Sequence, residues 1–87
     1  MIKVIDKNTI RDDYNKLISK YGINEETLRS DCQKDEYVKD RIVISCALRD
    51  LGYGYADIGN VIDRDRTSIY YYCKVNKIFN YYKRENN

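Results

Sequence analysis

The sequence predicts an all-α fold, and three observations carry that expectation. No proline occurs among the 87 residues, only four glycines interrupt the chain, and apolar residues recur at three- and four-residue spacing between those glycines. At this length the chain forms at most one domain and buries only about 60% of its unfolded surface, which leaves little room for an enzyme cleft. Residues 1–87 are therefore read as a single helical unit with a core over about 9–79, its ends flexible or extending the terminal helices.

The first helix is expected from Thr9 to Tyr21. Thr9 suits the N-cap, Ile10, Tyr14, Leu17, Ile18 and Tyr21 form one apolar stripe, and Gly22 is the stop. A short second helix follows Asn24, an N-cap with two glutamates in the first turn and Leu28 facing inward. The third, from about Glu36 to Leu51, carries Tyr37, Val38, Ile42, Ile44, Ala47, Leu48 and Leu51 at helical spacing. Ser45 and Cys46 are small enough for a neighbour to close in, so this helix is expected at the buried centre.

The glycines of LGYGY end that helix. A fourth helix is expected from Tyr55 to Ile62, with Ile58, Val61 and Ile62 inward and Gly59 permitting close packing or a bend. A tight turn at Asp63 and Arg64 leads to Asp65, a good N-cap, and a long fifth helix from Arg66 to about Lys83. Helix, short turn, helix is the pattern of a helix-turn-helix.

Composition narrows function. The net charge of +2 names no partner, but residues 1–36 hold seven basic and eight acidic side chains while 37–87 hold nine and six. The positive excess thus lies in the second half. Cys32, Cys46 and Cys73 are widely spaced and there is no histidine, so neither a disulfide framework nor a zinc site is expected, and the thiols are read as reduced and packed. No nucleophile or carboxylate constellation suggests an enzyme, and no cofactor is implied. No apolar run approaches the roughly 18 residues of a membrane span, and the polar start MIKVIDKNT lacks a signal-peptide core, so the expected location is the cytoplasm.

The stretch DRDRTSIYYYCK, residues 63–74, carries the chemistry. The first residues of the second helix of a helix-turn-helix enter the major groove, where short or hydrogen-bonding side chains reach base edges. Arg66, Thr67 and Ser68 hold those positions: an arginine can bridge guanine acceptors, a threonine methyl can touch thymine, and the Asp65 carboxylate can accept from cytosine. Ile69, Tyr72, Cys73 and Phe79 are read toward the core, and Tyr70, Tyr71, Lys74 and Lys77 toward the duplex or solvent. On periodicity alone, a capped surface helix with solvated charges competes with this reading.

ADIGNVIDRDRTSIYYYCK resembles the signature of the C-terminal DNA-binding domain of DnaA, the bacterial chromosomal replication initiator, in which an IG pair is followed by a glycine turn, RDHTTV and a cysteine-containing helix. Upstream, TIRDDYNKLISKYGINEETL resembles the opening helix of that domain and RIVISCALRDL its central helix. The likeness covers about residues 9–79 and implies an all-helical domain of about six helices that binds duplex DNA at specific sequences. Carried over by position, Arg64, Asp65, Arg66, Thr67 and Ser68 fall on the signature, Arg41 on the phosphate-contacting arginine that opens the central helix, and Arg49 on a basic position near its end. Tyr71 and Lys74 lie where backbone contacts would be made, with the role of ordinary exposed residues as the alternative. Competing roles are a surface pairing of Arg64 with Asp63 or Asp57, capping by Thr67 and Ser68, and a solvated charge at Arg41.

The departures from that pattern are specific. No GxxxxGK[ST] phosphate loop occurs, so the ATP-driven activity of the family does not carry over. SDCQKDEYVKD replaces a strongly basic loop, so no minor-groove anchor is expected. Arg66 replaces the signature histidine, and Asp63 stands where the family has two turn glycines. The expected function is therefore sequence-specific duplex DNA binding at the chain's own site, regulating replication or transcription, with a phage or mobile element as the source. A second copy, or another replication or transcription protein, is a further expected partner. The alternative is a protein-interaction module that keeps the fold without DNA binding, its Tyr81 and Tyr82 tail docking a partner.

Overall fold

The computed structural model describes residues 7–83, with side chains from Thr9 onward. Its five helices are α1 (Lys7–Tyr21), α2 (Glu25–Arg29), α3 (Asp35–Asp50), α4 (Tyr55–Ile62) and α5 (Arg66–Phe79), and no strand occurs among the described residues. The resemblance implied about six. None of these helices is long and apolar enough to cross a membrane.

The α1 helix opens two residues before Thr9, which lies within the first turn rather than at the cap. Ile10 and Tyr14 are buried and Leu17 and Ile18 pack beside them, while Tyr21 is exposed. At its end the Ile23 N–H donates to the Ile18 carbonyl at 3.0 Å. This bond closes over Gly22, whose φ of +64° is the left-handed conformation that glycine adopts without cost.

Asn24 caps α2 as its sequence predicts, with Oδ1 accepting from the backbone N–H groups of Glu26 (2.8 Å) and Thr27 (3.4 Å). Glu25 and Glu26 place negative charge at the positive end of the helix.

The α3 helix packs against all four others, which makes it the expected centre. Ile42, Ile44, Cys46, Ala47 and Leu48 are buried along it. Leu51, read as inward, is exposed, although its backbone keeps helical angles (φ −77°, ψ −5°) and its N–H still donates to the Ala47 carbonyl at 3.3 Å; the chain leaves the helix at Gly52, whose φ is +100°. Tyr53 in the following turn fills the core instead, fully buried, with its hydroxyl donating to an Asp13 carboxylate oxygen. Ile10, Tyr14, Leu28, Ile44, Leu48, Tyr53, Ile58, Ile62 and Ile69 close this core.

The bounds of α4 are those its sequence predicts. Gly59 is buried where the chain turns back over α4: a Cβ built on it would stand 2.3 Å from the backbone oxygen of Arg64. The Arg64 N–H donates to the Gly59 carbonyl at 2.8 Å, closing the turn. Between them, Asp63 takes a left-handed conformation (φ 60°, ψ 49°), so this aspartate adopts the geometry a turn glycine supplies.

The α5 helix ends at Phe79 and not at Lys83. Asn80 is left-handed (φ 55°), and beyond it the chain folds back so that the Asn76 amide accepts from the Tyr82 N–H at 2.8 Å and donates to the Tyr82 carbonyl at 3.0 Å. A side-chain amide that offers both halves of a backbone pair competes directly with helix continuation. Phe79, read toward the core, is consequently exposed and stacks on Tyr81 with centroids 5.6 Å apart. The expectation for the chain ends falls mainly on residues outside those described.

Candidate nucleic-acid interface

The α5 helix buries Ile69 and half-buries Tyr72, Cys73 and Asn76, and this inward stripe fixes what the rest of the helix presents. The opposite face carries Thr67, Tyr70, Tyr71, Lys74 and Ile78, flanked by Arg66 and Lys77, all exposed. Among the five helices α5 alone contains no acidic residue. Three cations and two exposed tyrosines therefore share one surface.

At the mouth of α5, Asp65 has the extended backbone of an N-cap, and its carbonyl accepts from Ser68 (3.0 Å) and Ile69 (3.3 Å). Its carboxylate makes no capping bond and stays exposed beside Arg66 and Thr67. Neither Arg66 nor Thr67 forms a side-chain hydrogen bond or ion pair among the described residues. Ser68 is half-buried, turned from the outward stripe. Asp63 shares a shallow groove with Glu25, Glu26 and Arg29, on the α2 side of the turn.

Arg49 reaches this surface through aromatic rings. Its guanidinium lies 4.6 Å from the centre of the Tyr55 ring, and Tyr55 meets Tyr70 edge-on at 5.7 Å. Its Nη1 also donates to the Tyr53 carbonyl at 3.0 Å, which holds the turn between α3 and α4. Tyr55, Tyr70, Cys73, Lys74 and Lys77 line a groove of about 200 Å³ beside the outward stripe. The tyrosine triplet thus divides: Tyr70 packs on Tyr55, Tyr71 points outward, and Tyr72 supports the core.

Two positions implied by the resemblance lie elsewhere. Arg41 is fully buried, so the expected phosphate contact is corrected: its Nε donates to the Leu28 carbonyl (2.8 Å) and its Nη2 to those of Thr27 (3.3 Å) and Ser30 (2.8 Å). The cause is the shortness of α2, whose final carbonyls lack intrahelical partners and take a guanidinium instead. Arg64 is half-buried and also turned inward, donating to the carbonyls of Asp63 and Ser30. Neither surface carboxylate weighed for Arg64 is its partner.

Lys39 lies 5.2 Å from the Tyr81 ring centre, and Asp35 and Glu36 occupy the first turn of α3. No group of three or more potential metal ligands occurs among the described residues.

Sequence reasoning missed Tyr55 as part of this surface, and with it the edge-on contact that Tyr70, read toward the duplex or solvent, makes with that ring. It also missed the meeting of Cys46 and Cys73, whose thiols come within hydrogen-bonding reach between α3 and α5. That contact pushes the Cys46 thiol up and holds Cys73 below the usual thiol range. Compared with protein-family models, curated proteins and solved structures, the chain matches none.

Proposed function

We propose that the chain binds duplex DNA at specific sequences, with α4 and α5 acting as a helix-turn-helix and α5 lying in the major groove. The observation that carries this reading is the outward face of α5: Arg66 and Thr67 free at its mouth, Tyr71 and Lys74 beyond them, and no acidic residue in the helix. Arg66 and Thr67 supply base-edge chemistry. Lys74, Lys77 and Arg49 supply charge for phosphates, which positions the helix without reading sequence. The Asp65 carboxylate disfavours phosphate at the tip and accepts from a cytosine amine. The RDRTS resemblance supports a role in regulating replication or transcription at the chain's own site, and a phage or mobile element is the proposed source. Selection of bound sequences from a random duplex pool, followed by a salt titration of the selected site, tests the reading. Enrichment of one motif and a steep loss of affinity with salt support it; no retention of duplex at low salt overturns it.

A second reading has its own observation. Ile78 (73% exposed) and Phe79 (60%) leave an apolar surface at the far end of α5, extended by the Phe79–Tyr81 stack. A module that docks a protein through this end gives no duplex binding and loses its partner on Phe79→Ser.

A further inference from the structure

The α3 and α5 helices each place one cysteine on the seam between them. Cys46, on α3, is 7% exposed, and Cys73, on α5, is half-buried. Their thiols stand within hydrogen-bonding reach, and both line one groove of about 600 Å³ open to solvent, with Arg49, Asp50, Lys77 and Tyr82 around it. Cys32 is separate, in the segment between α2 and α3.

We propose that Cys46 and Cys73 are a peroxide-reactive pair that closes to a reversible disulfide between α3 and α5. The inference does not depend on DNA binding. Three features support it. Cysteines that face one groove from two packed helices can close by side-chain rotation without helix movement, whereas cysteines held on separate surfaces need backbone displacement to bridge. The open groove gives a small oxidant access to Cys73. The two thiols are also unequal: Cys73 is favoured as thiolate, first by the hydrogen bond from Cys46 and then by the Arg49 and Lys77 cations, against burial and the Asp50 charge. Cys46 is held as the thiol by that same hydrogen bond, then by burial. One sulfur is thus poised to attack and the other to resolve.

The chemistry balances. The Cys73 thiolate attacks one oxygen of hydrogen peroxide, an S–O bond forms, the O–O bond breaks and hydroxide leaves, giving a sulfenic acid. The Cys46 sulfur then attacks the sulfenyl sulfur; the S–S bond forms, the S–O bond breaks, and the departing hydroxide takes the Cys46 proton as water. Across both steps two thiols lose two electrons and one peroxide becomes two waters. A small dithiol reverses the bond by exchange.

The test uses the full chain, folded, with stoichiometric hydrogen peroxide at neutral pH. The expected product is a monomer lighter by about 2 Da, the two thiol hydrogens. A peptide map joins Cys46 to Cys73, helix content is retained, and dithiothreitol restores the mass. In Cys46→Ser, or in Cys46→Ala if serine prevents folding, Cys73 stops at the sulfenic acid and is captured by dimedone. In Cys73→Ser, peroxide consumption slows by about ten-fold or more, because Cys46 lacks thiolate character. A bridge to Cys32, a disulfide-linked dimer as the main product, loss of helix content on oxidation, or a wild-type chain that keeps both thiols would each overturn the proposal.

Discussion

Arg41 and Arg64 converge on one atom, the backbone oxygen of Ser30, to which the Nη2 group of each donates. Arg41 comes from the buried centre of α3 and Arg64 from the turn that leads into α5. The last residues of α2 are thus linked to both the core helix and the entry to the outward-facing helix. An arginine in this role contributes directed hydrogen bonds, and burial makes its removal costly because the carbonyls it served lose their donors.

Arg41→Ala should lower unfolding stability by about 3 kcal/mol in urea titration, the scale expected when charge-assisted bonds to buried carbonyls are lost. Arg64→Ala, at a half-buried site, should cost about 1 kcal/mol. In the duplex assay, Arg41→Ala that remains folded should keep the wild-type salt slope. A slope reduced by about one unit would return Arg41 to the phosphate-contacting role.

Gly59→Ala tests the close approach beneath the turn. Helix propensity alone favours alanine by about 1 kcal/mol. The added carbon meets the Arg64 backbone oxygen, which cannot rotate away as a side chain would, so we expect a net loss of about 1 to 2 kcal/mol. Asp63→Val should cost a similar amount, since a β-branched residue is strained at φ 60°, while Asp63→Gly should fold as well as wild type. Thermal melts of the three variants decide both points.

At the outward face, Arg66→His should change one base preference in the selected motif by about 1 to 3 kcal/mol of discrimination and leave the others. Lys74→Gln should weaken binding to all duplexes alike and reduce the salt slope by about one unit. Both should retain wild-type helix content by circular dichroism. Unchanged motif and slope in both variants would remove α5 as the reading helix.

Asp40 gives a pH-dependent prediction. Burial first, and then the charge of Glu36, hold its carboxyl above the usual carboxylate range, with Arg41 opposing. A carboxyl with a raised folded-state pKa binds its proton more tightly in the folded chain. Its favourable contribution is present below the unfolded value of 3.8 and is lost as pH rises through the folded value. Asp40→Asn should therefore be more stable than wild type at about pH 7 and equal to it at about pH 3. Equal stability at both pH values would show that the carboxylate carries no penalty.

The local parts of the fold are legible in the sequence because their causes are local. Asn24 caps the residues beside it, Gly22 ends its own helix, and Ile58, Val61 and Ile62 are spaced for one face. What escapes is set by distant partners. Arg41 looks like any helix charge until Thr27, Leu28 and Ser30 come within its reach, and backbone carbonyls carry no identity that a sequence displays. The end of α5 escapes for a related reason: Asn76, inside the helix, satisfies Tyr82 beyond it, so helical periodicity continues past the point where the backbone turns. At the candidate interface, the exposed stripe from Thr67 to Lys74 follows from spacing, whereas the Arg49–Tyr55–Tyr70 stack depends on how α3, α4 and α5 are assembled.

The shared acceptor at Ser30 has a genetic consequence. Being a main-chain oxygen, it is present whichever amino acid is encoded at codon 30, so a replacement there should cost only the two bonds of the Ser30 hydroxyl, to the Thr27 carbonyl (2.8 Å) and from the Cys32 N–H (3.3 Å), and a saturation library should show codon 30 more tolerant than codons 41 and 64. Suppressors of a damaged Arg64 should accordingly arise as new donors in the turn or at the start of α5, and not at the position that receives the bond.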